Sequence, residues 1–511
     1  MIRLNRSLVN VICSLLVFAT NIAIGFWLSP FVIRHIGIEA NGFVSLAGNF
    51  VGYAGLINAA LSSMAGRFIA LEYIKHDYEK ANLYYNSVFW GRLIMLAVLL
   101  LPAAYIIVEL ESIVKVPQEI LSDIKLLFSL IFFSFFLSTG TPNWGSGTYI
   151  TNRLDLDYIP NMLLSLMRCA LIFLMMTIWI PKVWYIGFTS CVITILFLIV
   201  AYINCHRLTP KLKIYISRHN IIFSWKTIRE LIAAGIWSTI SSVGHLLLSG
   251  LDLIICNIYL GPTAMGVVAL SKTLPGYMAQ LSGSVRGAFG AELTINYAQG
   301  NMDAIYNSLN RAMKMTSFIM IVPIAGIVVF GKQFFSLWVP SEDTSLLQIL
   351  SVLSIIGYMF TSGTQILYNV FYTVNKVKQE AIAMLCSGVA SIIMLYLMFH
   401  FTDLDIYAVA GCSTVANLIR NMSFTLPMAA KYLGFDWKRF YPQVLQTVSA
   451  SIVLIIVGVI MRPYLPAGSW GYFFISISLY SAVAFTISMF MLLNKEERKI
   501  VKEKVLNKFK I

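Results

Sequence analysis

The sequence predicts an all-α polytopic membrane protein with about fourteen transmembrane helices, and three observations lead to this class. Hydrophobic residues make up 58% of the chain and charged residues only 12%, whereas soluble domains carry about 25% charged residues. Apolar stretches recur along the whole length, each close to the roughly 20 residues that a helix needs to cross a bilayer. The polar breaks between them differ strongly in their lysine and arginine content, which is typical of a multi-pass topology.

The apolar runs give fourteen predicted spans, which start near residues 8, 42, 87, 123, 160, 184, 233, 264, 313, 345, 380, 407, 444 and 471. The first run, residues 8–32, is longer than the apolar core of a cleaved signal peptide, and no small-x-small cleavage site follows it. We therefore expect it to remain as the first span.

The cysteines fall inside or at the edge of apolar stretches, at spacings that suit neither a disulfide framework nor a metal site. We expect them to be small packing residues, and we expect no metal and no other cofactor. They are Cys13, Cys169, Cys191, Cys205, Cys256, Cys386 and Cys412.

The distribution of basic residues predicts that both termini are cytoplasmic. With that orientation, 26 of the 37 lysines and arginines lie in cytoplasmic segments and six on the opposite side, an asymmetry that orients multi-pass proteins. The net charge of +14 then follows from topology and from attraction to the anionic cytoplasmic leaflet. No nucleic-acid partner is needed to explain it.

No break between spans is long enough for a soluble domain, and the longest one divides the chain near its middle. We predict an N-terminal six-helix lobe (1–204), a cytoplasmic amphipathic linker (205–232), a C-terminal six-helix lobe (233–428), and an extra helix pair with a basic cytoplasmic tail (429–511). The tail is expected to lie on the membrane surface as an anchor.

An internal repeat relates the two lobes. Shifting the sequence by 224 residues aligns span 2 with span 8 without gaps and matches nine positions. Because the repeat joins lobes of six spans each, it predicts a parallel duplication, and transporters built this way bind substrate between their halves. The alternative is two helical bundles with recurrent glycine packing. The pairs are Gly37/Gly261, Ala40/Ala264, Gly42/Gly266, Leu46/Leu270, Gly52/Gly276, Tyr53/Tyr277, Gly66/Gly290, Tyr73/Tyr297 and Asn86/Asn310.

Polar side chains recur at helical spacing in two spans. A charged group at mid-membrane costs at least about 2.5 kcal/mol, so polar residues within spans tend to line cavities or pair with one another. Steps of three and four residues predict that each set occupies one helix face. The set in span 7 is Ser238, Ser242, His245, Ser249, Asp252 and Cys256, and the set in span 10 is Tyr358, Ser362, Gln365, Asn369 and Tyr372.

The charges predicted inside the bilayer are mostly positive. Lys272 and Arg286 share a face of span 8 at a spacing of fourteen residues, and Pro275 and Gly276 between them are expected to break or bend the helix. Arg168 and Arg420 lie deep in spans 5 and 12, and the one obvious acid is Asp252. This balance favours an anionic ligand, and a diphosphate is the natural candidate.

Structural roles for these residues stay open. Arg168, Arg286 and Arg420 could each pair with backbone carbonyls or a neighbouring helix, and Arg286 could reach the cytoplasmic interface. His245 is either a helix-packing residue or a proton carrier seven residues from Asp252.

Two stretches of the sequence carry motifs. The first is an Asn-Arg-x-Asp pattern followed by Asn and Arg, formed by Asn152, Arg153, Asp155, Asn161 and Arg168. The second is Asp252 followed by Gly261 and Gly266. Both resemble the polysaccharide and O-antigen flippases of the multidrug, oligosaccharidyl-lipid and polysaccharide exporter superfamily. Val268 stands where the family pattern has a tyrosine.

The resemblance implies a multi-pass protein of the bacterial inner membrane with two six-helix lobes. It would flip an undecaprenyl-diphosphate-linked oligosaccharide from the cytoplasmic to the outer leaflet by alternating access, for O-antigen, capsule or another surface polysaccharide. In the related peptidoglycan-precursor flippases, the extra helix pair forms a groove for the lipid tail. The expected partners are the anionic lipid-linked glycan, membrane lipids and polysaccharide polymerase machinery, and a monomer is expected.

These considerations assign roles to named residues. We expect Arg168, Lys272 and Arg286 to hold the diphosphate and Asp252 to act as a counter-charge or, like His245, in ion coupling. Gln365 and Asn369 are expected to hydrogen-bond sugar, and Asn21 and Arg420 to line the same cavity. Coupling to H⁺, to Na⁺ or to the membrane potential stays open.

Two other functions compete with this one. A drug exporter of the same superfamily often has a carboxylate in span 1, where this chain offers only Asn10, Ser14 and Asn21. A membrane polymerase or acyltransferase usually needs a large extramembrane loop or a buried pair of histidine and acid. His245 and Asp252 are two turns apart on one helix and cannot touch directly, so we do not expect an enzyme.

Overall fold

The computed structural model describes residues 6–215, 223–466, 468–495 and 497–498. All regular structure in this part of the chain is helical, so the all-α class is confirmed. The first half contains α1 (Arg6–Ile74), α2 (Tyr78–Val108), α3 (Leu121–Thr139), α4 (Asp155–Ile178), α5 (Trp184–Leu208) and α6 (Trp225–Ser249). Then follow α7 (Asp252–Leu260), α8 (Pro262–Ser271), α9 (Thr273–Ala298), α10 (Met302–Trp338), α11 (Thr344–Ile355), α12 (Val377–Phe401), α13 (Asp405–Arg420), α14 (Leu426–Tyr432), α15 (Tyr441–Met461) and α16 (Trp470–Leu492). Short helical turns connect several of them.

Eleven helical stretches among the described residues are long and apolar enough to cross a membrane, so the chain is a multi-pass membrane protein. One of them, Ile12–Ala59, covers the first two predicted spans, because α1 continues through a bend at Gly37. Predicted spans 8 and 12 are each divided into two or more helices, and neither is among these eleven stretches. The count of fourteen spans stays a prediction.

The chain forms two compact units. The N-terminal unit comprises Met1–Val243 and Leu253–Gly266, and the C-terminal unit comprises Gly244–Asp252 and Val267–Ile511. The predicted lobe boundaries stay predictions. Residues 216–222 of the predicted linker and most of the predicted tail lie outside the described residues.

Two glycines of the predicted repeat have the same unusual backbone. Gly37 has a φ of 83° and Gly261 a φ of 93°, values that an L side chain rarely adopts. Each stands where the chain passes from one helical segment to the next. The two segments also meet within the N-terminal unit, where the Thr263 hydroxyl donates to the Glu39 carboxylate at 2.5 Å. These two residues are separated by the repeat offset of 224.

In the N-terminal unit, α1 packs against α2, α3 and α4, while α5 packs against α3 and α4. In the C-terminal unit, α10 is the central helix and contacts α9, α11, α15 and α16. The two helices predicted as an extra pair, α15 and α16, enclose a buried cluster with α10 that includes Phe330, Leu454 and Tyr480. The Tyr480 hydroxyl donates to the Leu454 carbonyl at 3.1 Å, which satisfies the polar end of this buried ring.

Close backbone approach joins α6 to α12 in the C-terminal unit. A Cβ atom on Gly388 would lie 2.5 Å from the Gly244 carbonyl oxygen, and one on Gly244 would lie 2.6 Å from the Leu385 nitrogen. Small residues at helix crossings allow such contacts in membranes. The crossing holds the end of α6, and therefore His245, against α12.

Candidate functional site

Asp252 and Lys272 form an ion pair in the C-terminal unit. Asp252 is buried and is the first residue of α7, after a break at Gly250 and Leu251. Lys272 occupies the break between α8 and α9. The ion pair therefore connects two helix interruptions.

This arrangement corrects two details of the sequence interpretation. The polar stripe of span 7 does not continue along one helix, because α6 ends at Ser249 and Asp252 begins α7. The break in span 8 falls at Lys272, and Pro275 lies in the first turn of α9, where proline is tolerated because it lacks an N–H. Interrupted helices of this kind occur near substrate sites in transporters.

A second group of polar residues surrounds the Tyr368 ring in the C-terminal unit. The Arg420 guanidinium donates to the Tyr368 hydroxyl at 2.5 Å and to the Asn417 side-chain oxygen at 2.7 Å. Both Arg420 and Arg286 also lie against the ring, with guanidinium carbons 5.2 and 5.7 Å from its centroid. We call Arg286, Tyr368, Asn417 and Arg420 the arginine–tyrosine cluster.

A π-helical turn, Asn421–Thr425, follows Arg420 directly. Single π-turns inside helices are frequent at functional sites. Here the turn is fixed by Asn421, whose amide donates to the Asn417 backbone carbonyl at 2.8 Å and whose oxygen accepts from Tyr368 at 2.8 Å. The widened turn and these bonds fix the position of Arg420.

Glu380 is an acid that the sequence interpretation missed. It is buried near the start of α12, with its carboxylate 3.9 Å from Arg420 Nη1. Asp252 is therefore not the one acid opposite the predicted intramembrane cations. Among the described residues, Arg420 and Lys272 each pair with a carboxylate, whereas Arg286 lies against the Tyr368 ring and forms no ion pair.

Three further predicted site residues, Asn369, Gln365 and His245, belong to this unit. Asn369 donates from its amide to the Arg286 carbonyl at 3.1 Å, which joins span 10 to α9. Gln365 is half-buried in the turn Thr364–Leu367. His245 has an exposed side chain near the end of α6.

Arg420 also borders an apolar groove between α12 and α13. The groove has a volume of about 540 Å³, and its walls include Ile382, Cys386 and Ile419. Arg420 itself is 6% exposed, and its Nε and Nη1 atoms are buried without a hydrogen bond. A cation with unused donors beside an apolar groove suits a ligand with an anionic head and an apolar tail.

A second apolar groove, of about 480 Å³, lies between α9, α10 and α16. Its walls include Leu281, Pro323 and Phe485. The predicted extra helix pair contributes to this groove through α16. Among the described residues, no charged side chain lines this groove.

In the N-terminal unit, Arg168 is half-buried in α4, and its Nε is buried without a hydrogen-bond partner. Asn161 is exposed two turns earlier on the same helix face and lines a polar cavity of about 330 Å³ together with Arg92 and Trp144. Asn21 is exposed on α1. Because Arg168 and Asn21 belong to this unit, their place in one site with the C-terminal residues stays a prediction.

The family-motif loop holds the start of α1. Asn152 adopts a φ of 52° and accepts a hydrogen bond at its side-chain oxygen from the Asn10 amide at 2.9 Å. The Asn10 oxygen in turn accepts from the Asp155 backbone N–H at 3.1 Å. Arg153 binds the Asp155 carboxylate through two hydrogen bonds of 3.1 and 3.2 Å, and this carboxylate raises the pKa of the Arg153 guanidinium. The motif thus has a structural role, which is to hold the N-terminal end of α1 through Asn10.

The fold and the buried charges together define a polytopic membrane protein with ionisable groups inside its helical spans, and such groups commonly mark functional sites in membrane proteins. Within the described part of the chain, no group of three or more histidine, cysteine or acidic side chains is placed to hold a metal ion.

Comparisons with known proteins agree with this class. The chain is 25% identical over 498 residues to the uncharacterized membrane protein EpsK of Bacillus subtilis (strain 168), covering 96% of this chain and 97% of that protein. It is similar in fold to the lipid II flippase MurJ in an inward closed conformation, with a TM-score of 0.63, 14% identity, and coverage of 94% and 98%. An inward-facing MATE multidrug resistance transporter of the MOP superfamily matches with a TM-score of 0.54, 16% identity, and coverage of 81% and 94%. No family model matches the chain.

The chain therefore has the fold shared by these flippases and transporters. This fold agrees with the resemblance to the exporter superfamily that the motifs indicated.

Proposed function

We propose that this protein is a flippase for an anionic lipid-linked oligosaccharide in the bacterial cytoplasmic membrane. The substrate that we favour is an undecaprenyl-diphosphate-linked glycan, carried to the outer leaflet by alternating access for O-antigen, capsule or another surface polysaccharide. The observation that carries this proposal is the position of Arg420, which belongs to the arginine–tyrosine cluster and also borders an apolar groove.

The charge of the cluster favours an anion. Arg286 and Arg420 lie against one tyrosine ring, and among the described residues one carboxylate, that of Glu380, faces them. Two guanidinium groups close together repel each other in a medium of low dielectric constant. A diphosphate group would remove this repulsion through charge-assisted hydrogen bonds, which guanidinium groups form in bidentate geometry.

The groove favours a ligand with an apolar tail. A polyprenyl chain in the groove between α12 and α13 would have its diphosphate within reach of Arg420, whereas the groove of α9, α10 and α16 has no charged wall. We therefore assign the tail to the α12/α13 groove. The likeness to the lipid II flippase keeps the second groove as the alternative route.

We assign roles to the other predicted residues on the same basis. Arg286 holds the diphosphate with Arg420, and Arg168 of the N-terminal unit stays a further candidate for binding it. Asp252 is the counter-charge of Lys272, because the two residues form an ion pair. Asn369 and Gln365 remain the sugar-binding candidates.

Drug efflux is the second candidate function, since the fold also resembles MATE transporters. A cationic drug would be repelled by Arg286 and Arg420, so the cluster argues against it. In a strain that lacks this gene, drug susceptibility and surface polysaccharide separate the two functions. We expect the gene to restore polysaccharide and to leave susceptibility to cationic drugs unchanged; the opposite pattern would overturn the proposal.

The variants Arg286→Gln and Arg286→Lys, expressed in the same strain, test the role of Arg286. We expect the glutamine variant to lose most export and the lysine variant to keep part of it, because lysine retains the charge but not the planar fork. Lys378→Gln is the matched control, since it removes an exposed cation from the first turn of α12. Normal export by Arg286→Gln at wild-type protein levels would contradict the assigned role.

A further inference from the structure

A polar cavity of about 440 Å³ lies at the start of α15 in the C-terminal unit, apart from the arginine–tyrosine cluster. Three basic side chains line it, Lys314 from α10 and Lys438 and Arg439 from the segment before α15. The charge distribution of the sequence predicts that this end of the unit is cytoplasmic. The proposed transport function does not use any of these residues.

The cavity contains donors without an acceptor. Gln443 is 7% exposed, and its Nε2 atom is buried without a hydrogen-bond partner while the residue lines the cavity. Gln443 also belongs to the first turn of α15, where the capping residue Phe440 offers no side-chain acceptor. The N-terminus of a helix carries partial positive charge and attracts anions. The unpaired Gln443 amide and the N-terminus of α15 therefore both favour an anion in this cavity.

The buried Lys314 pairs with Glu497, which lies near the C-terminal end of the described residues. Lys314 is 5% exposed, and its ammonium lies 3.5 Å from the Glu497 carboxylate. The same Glu497 oxygen accepts from the Asn494 backbone N–H at 2.7 Å. Arg498 holds this segment by donating to the Phe490 and Leu493 carbonyls at 2.7 and 2.8 Å. Asp436, the other acid at the cavity, accepts from the Lys438 backbone N–H at 2.9 Å.

The surroundings of the cavity indicate a membrane interface. Trp437 is exposed beside Lys438, with the lysine nitrogen 5.1 Å from its ring centroid, and Arg439 lies 4.3 Å from the Tyr306 ring centroid. Tryptophan and tyrosine concentrate at the level of lipid headgroups. Exposed apolar side chains continue along α15 from this point, beginning with Leu445 and Ile452.

We propose that this cavity binds the phosphate of an anionic phospholipid headgroup from the surrounding leaflet. Lys438, Arg439 and the Gln443 amide contact the phosphate. Glu497 opposes this binding through its negative charge, because its carboxylate pairs with Lys314, which lines the cavity. The acyl chains of the lipid lie along the exposed apolar face of α15.

Native mass spectrometry of the full chain, purified in detergent, tests this site by counting bound phosphatidylglycerol against phosphatidylcholine. We expect one phosphatidylglycerol of highest affinity in the wild type. Lys438→Gln with Arg439→Gln should raise its apparent Kd by about five- to thirty-fold, since each basic residue near a membrane surface contributes on the order of a five-fold factor. Lys75→Gln with Lys80→Gln removes two exposed cations from the N-terminal unit and should change the Kd less than two-fold.

A second variant keeps the test decisive if the double variant folds poorly. Glu497→Gln removes the opposing negative charge and should lower the apparent Kd for phosphatidylglycerol. Equal Kd values for wild type, the Lys438/Arg439 variant and Glu497→Gln would overturn the proposal. Saturation of the site by inorganic phosphate at millimolar concentration, with no preference for lipid, would overturn the assignment to a phospholipid. Neither outcome bears on oligosaccharide export, so the two proposals fail separately.

Discussion

The Lys272 ammonium donates a hydrogen bond to the Asp252 carboxylate, and each of the two residues stands at the interruption of a helix. Asp252 begins α7 and Lys272 separates α8 from α9. Both positions are close to points where the chain passes from one compact unit to the other, at 252/253 and 266/267. The ion pair therefore joins two helix interruptions that lie close to these unit boundaries.

Removal of one member of this ion pair should destabilise the protein more than removal of both. Asp252→Asn or Lys272→Gln leaves a buried charge without its partner, which costs about 3–5 kcal/mol. The double variant leaves no charge and should recover most of the lost stability. Thermal unfolding in detergent measures this, with the double-mutant cycle giving the coupling. Additive effects of the two substitutions would show that the pair has no energetic role.

The crossing of α6 with α12 should not tolerate a methyl group. Gly388→Ala places a Cβ about 2.5 Å from the Gly244 carbonyl, so the helices must separate, at a cost of about 1–3 kcal/mol. Gly411→Ala in α13 is the control, because a Cβ there meets no atom within 4 Å. Unfolding temperature and yield after detergent extraction are the measurements. A Gly388→Ala variant as stable as Gly411→Ala would contradict the close crossing.

The motif loop predicts different results for two substitutions of Asn152. Alanine loses the hydrogen bond with Asn10 and also strains the backbone at a φ of 52°, which together cost about 2–3 kcal/mol. Glycine loses the same bond but adopts this φ freely. The unfolding temperature should therefore fall in the order wild type, Asn152→Gly, Asn152→Ala. Equal values for the two variants would exclude backbone strain as a contribution.

Cys386 reports occupancy of the groove between α12 and α13. It is the exposed member of the seven cysteines, the others being buried or half-buried, and it lines the groove. A polyprenyl tail there would cover the thiol, so an undecaprenyl-diphosphate-linked oligosaccharide should slow its labelling by N-ethylmaleimide. Undecaprenol, which lacks the diphosphate, should protect much less. Equal labelling rates with and without the lipid-linked ligand would place the tail elsewhere.

The two grooves can be compared directly by obstruction. Ala383→Phe fills part of the α12/α13 groove, and Ser481→Phe fills part of the groove of α9, α10 and α16. We expect the first substitution to reduce polysaccharide export more than the second, at matched protein levels. A larger effect of Ser481→Phe would assign the tail to the second groove.

Composition and periodicity were sufficient to predict the membrane class and the approximate position of most spans. They could not locate the break at Gly250 and Leu251, because the apolar run continues through it and hydropathy does not register a change of helix direction. Gly37 shows the opposite case, because the sequence predicts separate spans on its two sides, whereas α1 continues through the bend that its positive φ produces. Gly261, its counterpart in the repeat, has a similar positive φ.

The partners of the charged residues could not be predicted, since they come from segments distant in sequence. Glu380 lies at the start of a span, where an acid is expected to face water, yet it is buried against Arg420 forty residues later. Asn10 has no role that could be assigned from the sequence, yet it holds the motif loop at Asn152. In both cases the contact depends on helix packing and not on any local pattern.

Reconstituted vesicles test the central claim most directly. The measurement is the fraction of a fluorescent, short-chain polyprenyl-diphosphate oligosaccharide that moves between leaflets in vesicles containing wild-type protein, Arg286→Gln or Lys378→Gln. We predict movement with the wild type and Lys378→Gln, and little with Arg286→Gln. Movement at the same rate in all three would contradict the role of the arginine–tyrosine cluster, and no movement with the wild type would contradict the flippase itself.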